Sequence, residues 1–278
     1  MAVDLKKLNA SSDQLLNLHR DSDSRVINRR TLLKRSLLGA IICPLGIGAL
    51  KAAKASGDSL DWGYTGSKGP DAWGQLSNAY TLCSSGTEQS PINLTQTAVQ
   101  PASLTLNYQA TPLTIQNNGR TIRVDCAAGS MMQLDGVLFE LQQFHFHAPS
   151  EHLENGRAAA MEVHFVHQNL ETQALAVLGV FFKAGDRNEA LQPIWNHMPQ
   201  QAGIRKTLRD SNFNAASLLP TNREEFYRYS GSLTTPPCSE SVTWIVMQQA
   251  ITVSVQQVAR FTQAIGEPNA RPVQPQRS

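Results

Sequence analysis

Charge of either sign is sparse in this 278-residue sequence, with 17% Asp, Glu, Lys and Arg and a formal net charge of +2. Beyond residue 56 no apolar run is long enough to cross a bilayer, which excludes a spanning helix from the body of the chain. Internal repeats are absent, and the one biased stretch is a Pro/Gln/Arg-rich tail over 267–278, so a repeat architecture is excluded. There is no His-Glu-x-x-His sequence and no recognisable serine–histidine–acid motif, which leaves a dedicated hydrolase without support. What remains, with 41% hydrophobic residues, can bury a sizeable core as one domain.

The small net charge averages two unlike regions. Residues 1–55 carry ten Lys and Arg against four Asp, a net of +6; this leaves 14 basic and 18 acidic residues over 56–278, a net of −4. That balance gives the body no electrostatic footprint for nucleic acid. The front end reads as an export signal. Arg29 and Arg30 precede Thr31, Leu32, Leu33 and Lys34 in a twin-arginine pattern, and an apolar segment from Leu37 to Leu50 ends in the small-x-small site Ala53-Lys54-Ala55. Residues 1–55 are therefore expected to be cleaved, leaving 56–278 as one soluble domain without a membrane anchor, periplasmic or otherwise extracytoplasmic. Cys43 follows Ile42 rather than a small residue, against a lipoprotein anchor. The remaining Cys83, Cys126 and Cys238 allow one bridge and one free thiol, and an oxidising compartment permits the bridge. All three pairings stay open at this point.

Alternating apolar runs at 103–108, 121–126, 137–147, 160–167, 174–182 and 242–247, separated by Gly, Asn and Pro clusters, predict short strands. Helical patterning is confined to 187–198, 222–228 and 254–265. The fold class is mainly β with some α+β character: a sheet-dominated domain with a few peripheral helices.

The chemistry concentrates at Gln143-Phe144-His145-Phe146-His147. On a strand, Gln143, His145 and His147 share one face while Phe144 and Phe146 point the other way, toward a core. A loop with Pro149 and Gly156 leads to a second strand in which Glu162, His164 and Val166 share a face. An antiparallel return lays His164 beside the first pair. Three neutral imidazoles suit a borderline-soft divalent ion such as zinc, and three protein ligands rather than four leave the open position of a catalytic site. Gln143 and Glu162, each two residues before a ligand, are placed to accept the outer imidazole N–H. His167 projects from the opposite face, so its loss should leave the metal alone. His152, His197 and His19 read as ordinary core or surface residues.

At these residues the sequence resembles the alpha carbonic anhydrases. Gln143 to His147 is similar to their paired-ligand strand, and Glu162-Val163-His164 to the strand giving the third ligand. Trp62-Gly63-Tyr64, Gln89 to Asn93, Asn117-Asn118-Gly119, Ser150-Glu151-His152, Gly231 to Glu240 and Asn269 to Pro272 resemble further family motifs in the expected order. The resemblance spans about 61–275. It implies a large, twisted, mainly antiparallel sheet with zinc at the bottom of a conical cleft, and reversible hydration of carbon dioxide to bicarbonate by zinc-bound hydroxide. A slow or silent binding module on the same fold is the alternative.

The resemblance also implies roles. Thr234 accepts a hydrogen bond from the hydroxide and donates to Glu151, and Tyr64 joins them at the reacting centre. Val166, Val177, Leu233, Val242 and Trp244 form the apolar wall for carbon dioxide, with Thr235 in the same pocket. Cys83 and Cys238 are the bridged pair of bacterial members, and Cys126 stays reduced. One position departs from the pattern. The fast family members carry a proton-shuttling histidine after Asn-Asn-Gly, where this chain has Arg120. Arginine stays charged near neutral pH and cannot cycle a proton. Arg123 adds a second charge at the same rim.

Overall fold

The computed structural model describes residues 61–95 and 102–275, so the expected leader and its cleavage site lie outside the described residues. The strands are β1 (Asn93–Leu94), β2 (Leu104–Asn107), β3 (Ala110–Asn117), β4 (Ile122–Asp125), β5 (Met131–Leu134), β6 (Val137–His147) and β7 (Leu153–Glu154). They continue as β8 (Arg157–Ala158), β9 (Met161–Gln168), β10 (Leu175–Ala184), β11 (Arg205–Asn214), β12 (Phe226–Ser232), β13 (Glu240–Met247) and β14 (Ile251–Val253). The helices α1 (Trp73–Leu76), α2 (Leu82–Ser85), α3 (Gln192–His197) and α4 (Val255–Ile265) are short.

Eleven strands form one sheet in the order β11-β3-β4-β6-β9-β10-β13-β12, with β14 beside β10 and β5 joining β2 to β6. Every pairing in it is antiparallel except those of β10 with β13 and β14. This is the sheet-dominated domain that alternation predicts. The six predicted strands appear as β2, β4, β6, β9, β10 and β13.

The pleat sorts β6 and β9 as their sequences require. Phe144, Phe146, Val163 and Phe165 are fully buried in the main core, with Trp195 and Phe261 packed on Phe146. Burying each large apolar side chain contributes roughly 1.5–3 kcal/mol, and a one-residue slip would move them all to the wrong face. Register is thereby fixed, and the polar residues between them must face the other way. On that second face Val177, Phe181, Tyr227, Val242, Trp244 and Val246 make a smaller apolar cluster.

The loop after β6 holds more structure than expected. Asn155 and Gly156, at φ 50° and 77°, close a two-residue hairpin between β7 and β8, and Asn-Gly is the pair that tolerates positive φ at both positions. α4 matches its predicted span: Ser254 and Gln257 form a reciprocal capping box, and Gly266 at φ 85° ends the helix. The helix expected over 187–198 is shorter, a single 3-10 turn at Glu189–Leu191 running into α3.

The helix expected over 222–228 is wrong, because β12 occupies its end. Phe226 enters the main core and Tyr227 the second cluster, so consecutive residues bury on opposite faces, as only a strand allows. Asn222 closes a local turn before the strand by accepting from Glu224 N at 3.0 Å.

Candidate metal centre

β6 and β9 pair His145 directly with His164 and His147 with Glu162. One nitrogen from each of His145, His147 and His164 lies within 4.8 Å of the others. Each ring spends its other nitrogen on a neighbour. His145 Nδ1 is 2.9 Å from Gln143 Oε1, and His147 Nδ1 is 2.7 Å from the Asn269 carbonyl oxygen. His164 Nε2 lies 2.9 Å from Glu162 Oε1, a close charge contact rather than an aligned hydrogen bond. Nδ1–H donation by His145 and His147 fixes the tautomer that leaves Nε2 with a free lone pair, and the Glu162 contact leaves Nδ1 of His164.

The donor set fits a metal. His147 Nε2 is buried and has no hydrogen-bond partner, and a buried polar atom left so costs about 1–3 kcal/mol unless an ion takes its lone pair. Protonation states agree. Burial, reinforced by its two histidine neighbours, holds His145 well below the ordinary imidazole range, and burial also lowers His147. Burial would lower His164 as well, but the Glu162 carboxylate outweighs it and raises the value. Burial alone would raise Glu162; His152 and His164 overcome it and hold the carboxyl well below its usual range, ionised.

His152, Glu162 and His164 also approach within ligand distance, yet His152 has no lone pair to spare. Its Nδ1 is 2.7 Å from Glu162 Oε1 and its Nε2 2.7 Å from the Tyr229 hydroxyl. It is the satisfied core histidine that the sequence suggests. Glu162 Oε2 accepts from the backbone N–H groups of Glu151 and His152 at 2.9 and 3.0 Å, so this carboxylate is pinned at both oxygens.

Glu151 is 1% exposed and accepts from Arg271 N at 2.9 Å through Oε1. Its Oε2 is buried with no hydrogen-bond partner. Thr234, 5% exposed, makes no hydrogen bond to it among the described residues. A cleft of about 190 Å³ is lined by Trp62, Tyr64, Asn118, Arg120, Thr121, Arg123, Gln143, His145, His147 and Thr235. Val166, Val177, Leu233, Val242 and Trp244 all belong to the second apolar cluster, and the Trp244 ring stands edge-on 4.9 Å from that of His164.

Arg120 sits in the turn before β4. Its guanidinium lies 4.2 Å from the Trp62 ring centroid and donates through Nε to Trp62 O at 2.9 Å, with Asp61 Oδ1 3.8 Å away. Arg123 lines the same cleft and donates to Asp125 at 2.7 Å. Cys83 and Cys238 are disulfide-bonded and Cys126 is free, its thiol pushed up to about 12 by burial.

The roles of Asn269 and Arg271 escape sequence reasoning. They hold His147 and Glu151 from a segment about 120 residues downstream, and the one signal was their membership of the Asn-Ala-Arg-Pro motif.

A family profile described as eukaryotic-type carbonic anhydrase matches residues 68–277. A carbonic anhydrase of Nostoc sp. is 42% identical over 258 residues, covering 91% of this chain and 96% of that protein. One of Neisseria gonorrhoeae is 43% identical over 226 residues, covering 81% and 88%. The solved structure of an alpha carbonic anhydrase from Thermovibrio ammonificans with the inhibitor sulfanilamide is 43% identical, with a TM-score of 0.72 over 78% of this chain and 96% of that one. On the fold, the histidine centre and these matches, the chain belongs to the eukaryotic-type, or alpha, carbonic anhydrase family.

Proposed function

We propose that this chain hydrates carbon dioxide reversibly to bicarbonate and a proton, using one zinc ion held by His145, His147 and His164. The observation that carries the reading is the convergence of three imidazole nitrogens whose distal partners are already engaged. Bacterial relatives named carbonic anhydrase support it. A zinc ion held by these three imidazoles would supply Lewis acidity, making water a nucleophile near neutral pH.

The protein does the rest. Gln143, the Asn269 carbonyl and Glu162 hold the imidazoles in orientation and raise their basicity. The Thr234 hydroxyl, which makes no hydrogen bond to Glu151 as placed, would on this reading turn to donate to Glu151 Oε2, the buried oxygen that lacks a partner, and so present its own lone pair to the reacting oxygen. A lone pair is thereby turned toward carbon dioxide, which rests against Val166, Val177, Leu233, Val242 and Trp244 beside Thr235. The new C–O bond forms as one C=O electron pair moves onto oxygen, giving bicarbonate. A fresh water must then lose a proton. Arg120 cannot accept it. Tyr64, whose phenol burial and the Glu151 charge hold well above its usual range, stays protonated and orients water without taking the proton. Diffusing buffer completes the cycle. The same reading places the mature protein outside the cytoplasm, after twin-arginine export and cleavage at Ala55, with no membrane anchor.

Elemental analysis and a carbon dioxide hydration assay test the core of this. The mature protein should carry one zinc per chain and lose activity on chelation. His145→Ala and His164→Ala should show strongly reduced zinc and no hydration. Full zinc occupancy in both variants would overturn the ligand assignment, and zinc without hydration would leave a binding module.

A further inference from the structure

Gly179 lies in the middle of β10, the longest buried run of the sheet, where glycine is a poor choice. Val177 and Phe181, two residues to either side, point into the second apolar cluster. Gly179 shares their face, pairs across to His164 on β9 and lies beside Val246 on β13. Its backbone is not in the left-handed region, so no conformational demand calls for glycine.

Space does call for it, at one atom. A Cβ at residue 179 would stand 2.9 Å from Glu162 Oε1, while its other close neighbours, the Val246 methyls, would be at an ordinary 3.4 and 3.5 Å. The Glu162 carboxylate cannot swing aside freely. Its Oε1 is bound by His152 Nδ1 at 2.7 Å and lies 2.9 Å from His164 Nε2, while its Oε2 takes two backbone N–H groups. The sheet around Gly179 would accept a methyl group; the carboxylate would not.

We infer that Gly179 is a positioning residue for the metal centre: its missing side chain is the space that lets Glu162 reach His164. A methyl group there displaces the carboxylate, frees the His164 ring to turn and weakens it as a ligand. Partners of this outer kind are typically worth ~10–100-fold in metal affinity. The inference rests on the proposed zinc site and deepens it.

The test is a double-mutant cycle on zinc release, followed with a chromophoric chelator. Gly179→Ala alone should speed zinc loss about 10-fold or more while the far-ultraviolet circular dichroism stays that of the parent. In a Glu162→Asp background, where the carboxylate is one methylene shorter, the same glycine change should add little. Glu162→Ala provides a second background should the aspartate variant fold poorly. An equal effect of Gly179→Ala in every background would overturn the inference, since the glycine would then act through the sheet and not through Glu162. Imidazole ¹⁵N shifts in the zinc-free protein give an independent reading. The His164 Nε2 signal should move in Gly179→Ala, and an unmoved signal also overturns the inference. If the parent binds no zinc the proposed function falls, and the ¹⁵N comparison still decides the role of Gly179.

Discussion

His167 shows how much one residue's parity decides. Three positions beyond His164, it turns into the main core, is fully buried, and has its Nε2 2.7 Å from the Tyr108 hydroxyl and its Nδ1 3.3 Å from the Ala176 carbonyl oxygen. Burial pulls its value down from 6.5 to about 4. Above pH 6.5 the ring is neutral folded or unfolded, so its contribution is flat. Between 6.5 and 4 only the unfolded chain takes the proton, and stability falls with falling pH by about 1.4 kcal/mol per unit, about 3 kcal/mol in all. Below 4 both states are charged and the contribution levels off. Unfolding of the parent and of His167→Gln across this window should therefore diverge, the variant losing less stability as the solution is acidified. Parallel profiles would show that His167 is not held neutral. Zinc content should be the same in both, as expected of a histidine on the wrong face to be a ligand.

At the scale of elements, β6 and β9 were the most legible part of the molecule because two signals coincide there. Large apolar side chains on one face force the register, and the polar residues between them then converge on the other. β11 has no such signal: Arg205–Asn214 is an edge strand whose side chains are mostly exposed, so nothing makes its sequence alternate. β12 buries both faces and lost its period for the opposite reason. The trio and its Gln143 and Glu162 partners could be read from spacing; the carbonyl that orients His147 could not, since it comes from a segment with no strand period. The turn before β4 carries Arg120, to which the proposed function assigns a kinetic consequence. Asn118 Oδ1 accepts from the N–H groups of Arg120 and Thr121, and Gly119 at φ 82° completes the turn, so residue 120 is held at the cleft whatever its side chain. Arg120→His places a group that titrates near neutrality where a permanent cation stood. We expect kcat at low buffer to rise on the order of 10²-fold, with kcat/KM nearly unchanged because attack on carbon dioxide uses other residues. The parent's kcat should climb instead with added imidazole-type buffer. High, buffer-independent turnover in the parent would mean that protons already leave by another route.

For the whole molecule the long-range fastening is the Cys83–Cys238 bridge, which spans 155 residues. A loop of that length favours the folded state by about 4–5 kcal/mol in the chain-entropy picture. Total stabilities of ~5–15 kcal/mol make this a large share, yet one that leaves a folded protein behind. Contacts around the bridge argue that the reduced chain already has its shape. Arg271 donates to the Cys83 carbonyl oxygen at 2.9 Å and to Gln89 Oε1 at 3.0 Å, and Gln89 Nε2 donates to the Cys238 carbonyl oxygen at 3.0 Å. A buried guanidinium and an amide thus join the two cysteine-bearing segments alongside the S–S bond. Proposed export by a twin-arginine route, which carries folded proteins, requires that property: the domain must form in a reducing compartment and close the bridge later. A Cys83→Ser, Cys238→Ser variant should therefore fold, bind zinc and be exported, while unfolding at lower denaturant by an amount equivalent to about 4–5 kcal/mol. Thiol labelling of the parent should find Cys83 and Cys238 reactive on unfolding of the cytoplasmic precursor and protected in the exported form. A double-serine variant that cannot fold at all would be incompatible with folding before export, and would leave the bridge, rather than Arg271 and Gln89, as what joins the two segments.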